Sequence, residues 1–311
     1  MRFLYLLLAA LLVAGCEKAG PHSRELYNRL LNVRSLAFSP DGSQLVGGRN
    51  RSSDHGQGDL LVWDLKARTD AREIQAHGGD VVDLLFTSDG LISAGADGQV
   101  KIWDSQSWTS TRQLPGERWL QNMRAGLTVL RGQPIGPCFL PRGAALEVWE
   151  ADGSKPERRW PAPDAQALAA SDDGSCLATL MTNGSIVIWD DHGKRQNEIA
   201  GPFSCLDLSA DGKTLASGDK DGAVMLWETG SGKANLSPPS LHKRIKVVRF
   251  SPDGQRVAAG CEGQLVISSG ARVLWELKVD SYASPSVLAF SSDGHQLASS
   301  GASKVLLWDG L

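Results

Sequence analysis

Apolar residues in this chain come in short runs, each closed by a tryptophan and an acid. Leu60-Leu61-Val62 precedes Trp63-Asp64, Val100-Lys101-Ile102 precedes Trp103-Asp104, and Leu146-Glu147-Val148 precedes Trp149-Glu150. Ile186-Val187-Ile188, Val224-Met225-Leu226 and Val305-Leu306-Leu307 lead in the same way into Trp189-Asp190, Trp227-Glu228 and Trp308-Asp309. Such runs, rich in β-branched residues and bounded by turn formers, read as strands. A second marker keeps phase with the first: Phe38-Ser39-Pro40-Asp41-Gly42, Phe86-Thr87-Ser88-Asp89-Gly90, Ser171-Asp172-Asp173-Gly174, Leu208-Ser209-Ala210-Asp211-Gly212, Phe250-Ser251-Pro252-Asp253-Gly254 and Phe290-Ser291-Ser292-Asp293-Gly294. Asp-Gly supplies the positive φ of a tight turn, so each copy is expected to join two neighbouring antiparallel strands. Only the third unit lacks this turn.

The tryptophans recur at roughly 40 residues, the period of a four-stranded propeller blade. Trp227 and Trp308 stand two periods apart. The unit between them is Gly263-Gln264-Leu265-Val266-Ile267-Ser268, with Ser268 where the tryptophan belongs, which makes seven. Two markers repeating in phase over residues 26–311 resemble the WD40-repeat family. The resemblance implies an all-β fold, a seven-bladed WD40-type β-propeller. It also implies that each Trp-Asp pair ends the third strand of its blade. Because the sequence stops two residues after Asp309, the last blade then lacks its outer strand, and a bare edge of N–H and C=O groups is a hazard for aggregation. The spare segment, residues 24–32, is expected to close the ring, with residues 26–31 pairing with residues 304–308.

The N-terminus has a different pattern. Met1-Arg2 is followed by an apolar run, Phe3 to Val13, that is too short to span a bilayer and reads as a signal peptide. It ends in Leu12-Val13-Ala14-Gly15-Cys16, which resembles the lipobox of bacterial lipoproteins. That resemblance implies cleavage after Gly15 and a lipid on Cys16. The expected organisation is a signal peptide at residues 1–15, a lipid-attached tether at 16–23 and the propeller at 24–311. Glu17 follows the cysteine, not the aspartate of an inner-membrane retention signal, so the outer membrane, facing the periplasm, is the favoured site.

The formal net charge of the 311 residues is −3, with basic and acidic side chains interspersed. That excludes the basic footprint of a nucleic-acid binder. The six histidines make no metal-binding pair by spacing, there is no CxxC, HExxH or Gly-rich phosphate loop, and no cofactor is expected. Of the cysteines beyond Cys16, Cys138, Cys176, Cys205 and Cys261 do not recur at one blade position, and no disulfide is assigned among them.

Blade two carries the residues that, by resemblance, form the family's hydrogen-bonded tetrad: His77, Ser93, Asp97 and Trp103. The same residue types make a catalytic triad, but the resemblance gives them a structural task, fastening the loop that enters the blade. Blade five keeps Ser217, Asp221 and Trp227 without the histidine. Trp63, Trp103, Trp149, Trp189, Trp227 and Trp308 are read as blade-closing core, and Trp160 and Trp275 as outer-strand packing. Trp119 beside Arg118 in the loop between blades two and three has the composition of a contact hot spot. The insertion at residues 49–58, with Arg49 and Arg51, and Lys220, Lys243, Arg244 and Tyr282 are expected on the same face. The function expected is a membrane-anchored, non-enzymatic scaffold for protein partners. The alternative is an enzyme or small-molecule or metal binder using the central channel. Its inner strands, read at 33–39, 81–86, 165–170, 204–208, 246–250 and 286–290, offer Arg34, Asp83, Asp207, Lys246 and Arg249.

Overall fold

The structure is a computed structural model and describes residues 20–27, 33–51, 57–87, 90–114, 136–139, 145–149, 156–162, 164–235, 237–279, 285–301 and 304–311. Among these residues the strands form seven antiparallel sheets. After β1 (His22–Tyr27), the first sheet is β2 (Val33–Phe38), β3 (Gln44–Arg51), β4 (Gln57–Asp64) and β5 (Arg72–His77). The second is β6 (Val81–Thr87), β7 (Gly90–Gly95), β8 (Val100–Trp103) and β9 (Ser110–Leu114). The third has β10 (Gly136–Phe139), β11 (Ala145–Trp149) and β12 (Pro156–Pro161). The fourth is β13 (Ala165–Ala170), β14 (Cys176–Met181), β15 (Ile186–Asp190) and β16 (Arg195–Ile199). The fifth has β17 (Phe203–Leu208), β18 (Thr214–Asp219) and β19 (Val224–Glu228). The sixth is β20 (Val247–Phe250), β21 (Val257–Cys261), β22 (Gln264–Ser269) and β23 (Arg272–Lys278). The seventh joins β24 (Val287–Phe290), β25 (Gln296–Gly301) and β26 (Lys304–Asp309) to β1.

The near-continuous apolar runs follow from burial on both faces. Side chains alternate along a strand, and here each face meets another sheet. Leu45, Leu61 and Trp63 pack with Ala298, Val305 and Leu307 of the seventh sheet. Val46, Leu60 and Val62 pack on the opposite side with Val81, Leu91 and Trp103 of the second. Leu60 and Leu61 are both fully buried, and each contributes roughly 2 kcal/mol of apolar burial. Further cores lie between sheets four and five, five and six, and six and seven.

The Asp-Gly turns have one chemistry repeated. Ser39, Ser171, Ser209, Ser251 and Ser291 each donate a hydroxyl to the aspartate two residues on, and that carboxylate accepts a backbone N–H beyond it. The glycines that follow take φ of 67 to 71°, left-handed backbone that glycine adopts without strain. These donors hold Asp41 down to about 2, the Ser39 hydroxyl most of all. Asp173, Asp211, Asp253 and Asp293 are lowered for the same reason. The turns sit together on one face of the molecule: Ser292 bonds to Pro40, Arg256 to Gly294, and Asp172 to Ala210.

The pairing of the N-terminal strand differs in register from the sequence expectation. β1 begins at His22 and runs His22↔Asp309, Ser23↔Trp308, Arg24↔Leu307, Glu25↔Leu306 and Tyr27↔Val305. Of residues 26–31 only Leu26 and Tyr27 belong to it, and 28–31 lie outside the described residues. Leu26 packs into the core between sheets seven and one, and Glu25 pairs with Lys304 at 3.2 Å, so those two contacts set the register. The strand also takes in His22 and Ser23, which the sequence reading placed in the tether. Cys16 lies outside the described residues. No helix among them is long and apolar enough to cross a membrane.

Candidate partner-binding face

Opposite the Asp-Gly turns, where both are described, the turn between two strands of a sheet meets the connection to a neighbouring sheet: Ala96 N–H donates to Asp80, Phe203 N–H to Gly184 and Leu241 N–H to Gly222. The tetrad locks one such junction. His77, at the end of β5, places Nδ1 3.1 Å from Asp97 Oδ1 and Nε2 2.7 Å from Ser93 Oγ. The Trp103 indole N–H donates to the same Ser93 oxygen at 2.8 Å. A carboxylate only accepts, so His77 Nδ1 donates to Asp97, while Nε2 shares a hydrogen bond with the Ser93 hydroxyl. The hydrogen bonds form one continuous chain, Trp103 to Ser93, Ser93 with His77, and His77 to Asp97. Asp97 also accepts the Gly78 and Gln99 N–H groups. Burial pushes its carboxyl up, but His77 and those two N–H groups outweigh that and hold it below the ordinary value. A Cβ on Gly95 would lie 2.3 Å from both Asp97 Oδ1 and His77 Nδ1, which is why this position has no side chain.

Ser93, His77 and Trp103 are all buried. The network fastens loop to turn and presents no nucleophile to solvent. Its inner half recurs in other sheets. Trp189 donates to Thr179, Trp227 to Ser217 and Trp308 to Ser299, each at 2.9 Å. Sequence reasoning missed Thr179 and Ser299. The signal was available, since the hydroxyl stands ten residues before the tryptophan in three sheets and nine in the seventh. Of the blade-closing tryptophans, Trp63, Trp103, Trp189 and Trp308 are buried and Trp227 is partly so, while the side chain of Trp149 is outside the described residues.

The residues expected to dock partners divide. Lys220, Lys243 and Arg244 are exposed and come together. Lys220 sits in the β18–β19 turn, and Leu241 N–H donates to Gly222 and Ile245 N–H to Asp219, tying that turn to the connection carrying Lys243 and Arg244. Lys243 Nζ donates to the Glu262 carbonyl, which adds the β21–β22 turn of the next sheet. Arg118, Trp119 and Tyr282, and the side chain of Arg51, lie outside the described residues.

Arg49 is a correction. It is not a loop residue available for docking: β3 and β4 run on to Arg51 and Gln57, and Arg49 is 2% exposed. Its guanidinium holds Asp59 Oδ2 at 2.7 Å and Glu73 Oε2 at 2.7 Å, bridging three strands of one sheet.

Of the channel candidates, Asp207 and Arg249 pair at 3.3 Å, and Asp207 also accepts the Phe250 N–H. Burial pushes the Asp207 carboxyl up against the opposing pull of Arg249. Arg34 faces Asp80 at 3.6 Å, and Asp83 caps the Leu84 N–H. One group of three possible metal ligands occurs among the described residues, Asp190, Asp191 and His192 in the β15–β16 turn. There Asp190 accepts the backbone N–H groups of His192 and Lys194, ordinary turn chemistry. Cys176, Cys205 and Cys261 stand as thiols.

With this geometry in view, three segments of the chain are similar to WD40 repeats. Residues 25–64, 68–104 and 193–228 match the WD domain, G-beta repeat. Over 283 residues the chain is 27% identical to the protein groucho of Drosophila melanogaster, an alignment covering 82% of this chain and 37% of that relative. The chain thus spans little more than a third of that relative's length.

Proposed function

We propose that this chain is a lipid-anchored protein of the bacterial cell envelope whose WD40 repeats close into a seven-bladed propeller and serve as a non-enzymatic platform for protein partners. The observation that carries the platform reading is the division of polar residues. The tetrad, the Ser-Asp turns and the Arg49 cluster are satisfied internally. Lys220 and Arg244 stand exposed, as does Lys243 with its Nζ on the Glu262 carbonyl, on loops stitched into a fixed arrangement. Rigidly held, exposed loop residues are where a scaffold meets its partners.

Seven blades are supported by seven sheets whose shared cores join sheet two to one, one to seven, seven to six, six to five and five to four. Trp160 of sheet three packs with Leu168, Leu177 and Trp189 of sheet four, and the proposed ring is completed by sheet three meeting sheet two. The matched segments 68–104 and 193–228 each begin ahead of an outer strand and end at a Trp-acid pair, and the segment 25–64 begins within β1. β1 therefore fills the outer-strand position of the seventh blade. The lipid anchor rests on Leu12 to Cys16, and Glu17 favours the outer membrane. Within the channel, Asp207 and Arg249 are occupied with each other, which leaves little for chemistry there.

Cross-linking in intact cells, capture and mass spectrometry tests the platform, with an Arg118, Trp119, Lys243 and Arg244 quadruple alanine variant beside the parent. A specific envelope protein captured by the parent and lost from the variant is the expected result. Identical captures, or none from either, overturn it.

A further inference from the structure

The anchor and the start of the fold together orient the molecule. Gly20 lies against Trp275 of β23, where a Cβ would be 3.3 Å from the indole, and Pro21 is beside Gly310. Leu311 N–H donates to the His295 carbonyl in the Asp-Gly turn of the seventh sheet. The folded chain therefore begins at the Asp-Gly face, at the rim where sheets six and seven meet. Four peptide links separate Gly20 from Cys16, a reach of at most ~14 Å. A six-residue strand such as β26 is ~20 Å long, so this tether is shorter than the sheet is deep.

We infer that the bilayer is the surface docked by this face: the molecule stands with its Asp-Gly turns toward the membrane and Lys220, Lys243 and Arg244 turned away from it. The inference rests on the lipid anchor proposed at Cys16. A lipid held that close to Gly20 cannot reach past the rim to bring the opposite loops onto the same leaflet. Charge works the other way. The turn carboxylates of Asp41, Asp173, Asp211, Asp253 and Asp293 line the membrane side, and an anionic leaflet repels them. The short tether, not electrostatic adhesion, fixes the orientation, which therefore persists at high salt and on uncharged lipid. At this rim Trp275, against Gly20, and Leu311 are partly exposed and Arg272 is exposed, and the amphipathic Trp275 and Arg272 suit a headgroup layer.

The test uses the full-length lipidated protein on phosphatidylcholine vesicles containing a lipid with a short-range nitroxide quencher in its headgroup. A fluorophore is attached through a click-reactive residue at position 272 in one sample and at position 220 in another. At least a two-fold greater quenching from 272 than from 220, unchanged in high salt, is expected. Equal or reversed quenching, in protein that floats with the vesicles, overturns the orientation while leaving the anchor intact. Failure to float, or equal flotation of Cys16→Ser, overturns the anchor and the orientation with it.

Discussion

Ser93 Oγ is the one atom through which Trp103 and His77 communicate, and its removal gives a graded prediction. Ser93→Ala leaves two buried partners stranded at once: the Trp103 indole N–H loses its acceptor at 2.8 Å and His77 Nε2 its hydroxyl at 2.7 Å. A buried polar group without a partner costs ~1–3 kcal/mol, so the substitution, which strands two, costs about 2–6 kcal/mol. Ser299→Ala strands only the buried Trp308 indole, for about 1–3 kcal/mol. Ser217→Ala strands the indole of Trp227, which is partly exposed to water, and falls at about 1 kcal/mol or below. The assay is the urea midpoint of a soluble form beginning at Gly20, followed by tryptophan fluorescence, with the slope checked for constancy so that midpoint shifts report stability. The expected order is Ser93→Ala, then Ser299→Ala, then Ser217→Ala. In a His77→Phe background the cost of Ser93→Ala falls to that of Ser299→Ala. If Ser93→Ala costs no more than Ser217→Ala, the hydrogen-bonded chain contributes nothing beyond an ordinary tryptophan–serine contact and the reasoning fails.

Two further perturbations probe the buried charges and the turns. Arg49→Met removes the guanidinium from a buried Asp59 and costs about 3–5 kcal/mol, while Arg49→Met with Asp59→Leu recovers most of it; denaturation showing the double variant as damaged as the single would refute this. The turn aspartates have folded-state values below their unfolded ones, so their stabilisation is complete above the ordinary 3.8 and is lost as pH falls through the folded values, which for Asp41 is about 2. Asp207, raised by burial, acts in the opposite sense as one group against five. Acid denaturation therefore concentrates in that window, and Ser39→Ala with Ser209→Ala shallows it. An unaltered acid profile in that double variant would count against the hydroxyl-to-carboxylate bonds.

The sequence carried most of the strand plan because two independent markers bracket each sheet. Trp-acid pairs end third strands and Asp-Gly turns join first to second, so the inner strands read at 165–170 and 204–208 fall on β13 and β17 almost residue for residue. Sheet three, with no Asp-Gly turn, had nothing to fix the strands ahead of the one ending at Trp149; the structure describes the neighbour of that strand at Gly136–Phe139, and what precedes it lies outside the described residues. Where the reading slipped, a long-range contact decided the matter. The closing strand was placed at 26–31 from the position and length of its segment alone, whereas its register follows Leu26 packing in the core and Glu25 meeting Lys304 across nearly the whole chain. Arg49 looked like a loop cation because its flanks are polar. The cross-strand pairing that turns it inward toward Asp59 and Glu73 is invisible in local composition. The tetrad was legible because a histidine, a serine, an aspartate and a tryptophan sit at spacings that a known repeat supplies.

The pairing of β1 with β26 also governs when this protein can become native. Every other described strand pair joins neighbours along the chain, and so forms locally and early. This pair waits for both of its strands, because the loop it closes contains all the other sheets. Until then β26 presents an unpaired edge, and β1 of a second copy fits it as well as its own. Crowded, half-folded molecules can therefore exchange first strands and emerge as swapped dimers in which every hydrogen bond is native. A short tether to a membrane would reduce that exchange by keeping each β1 near its own rim.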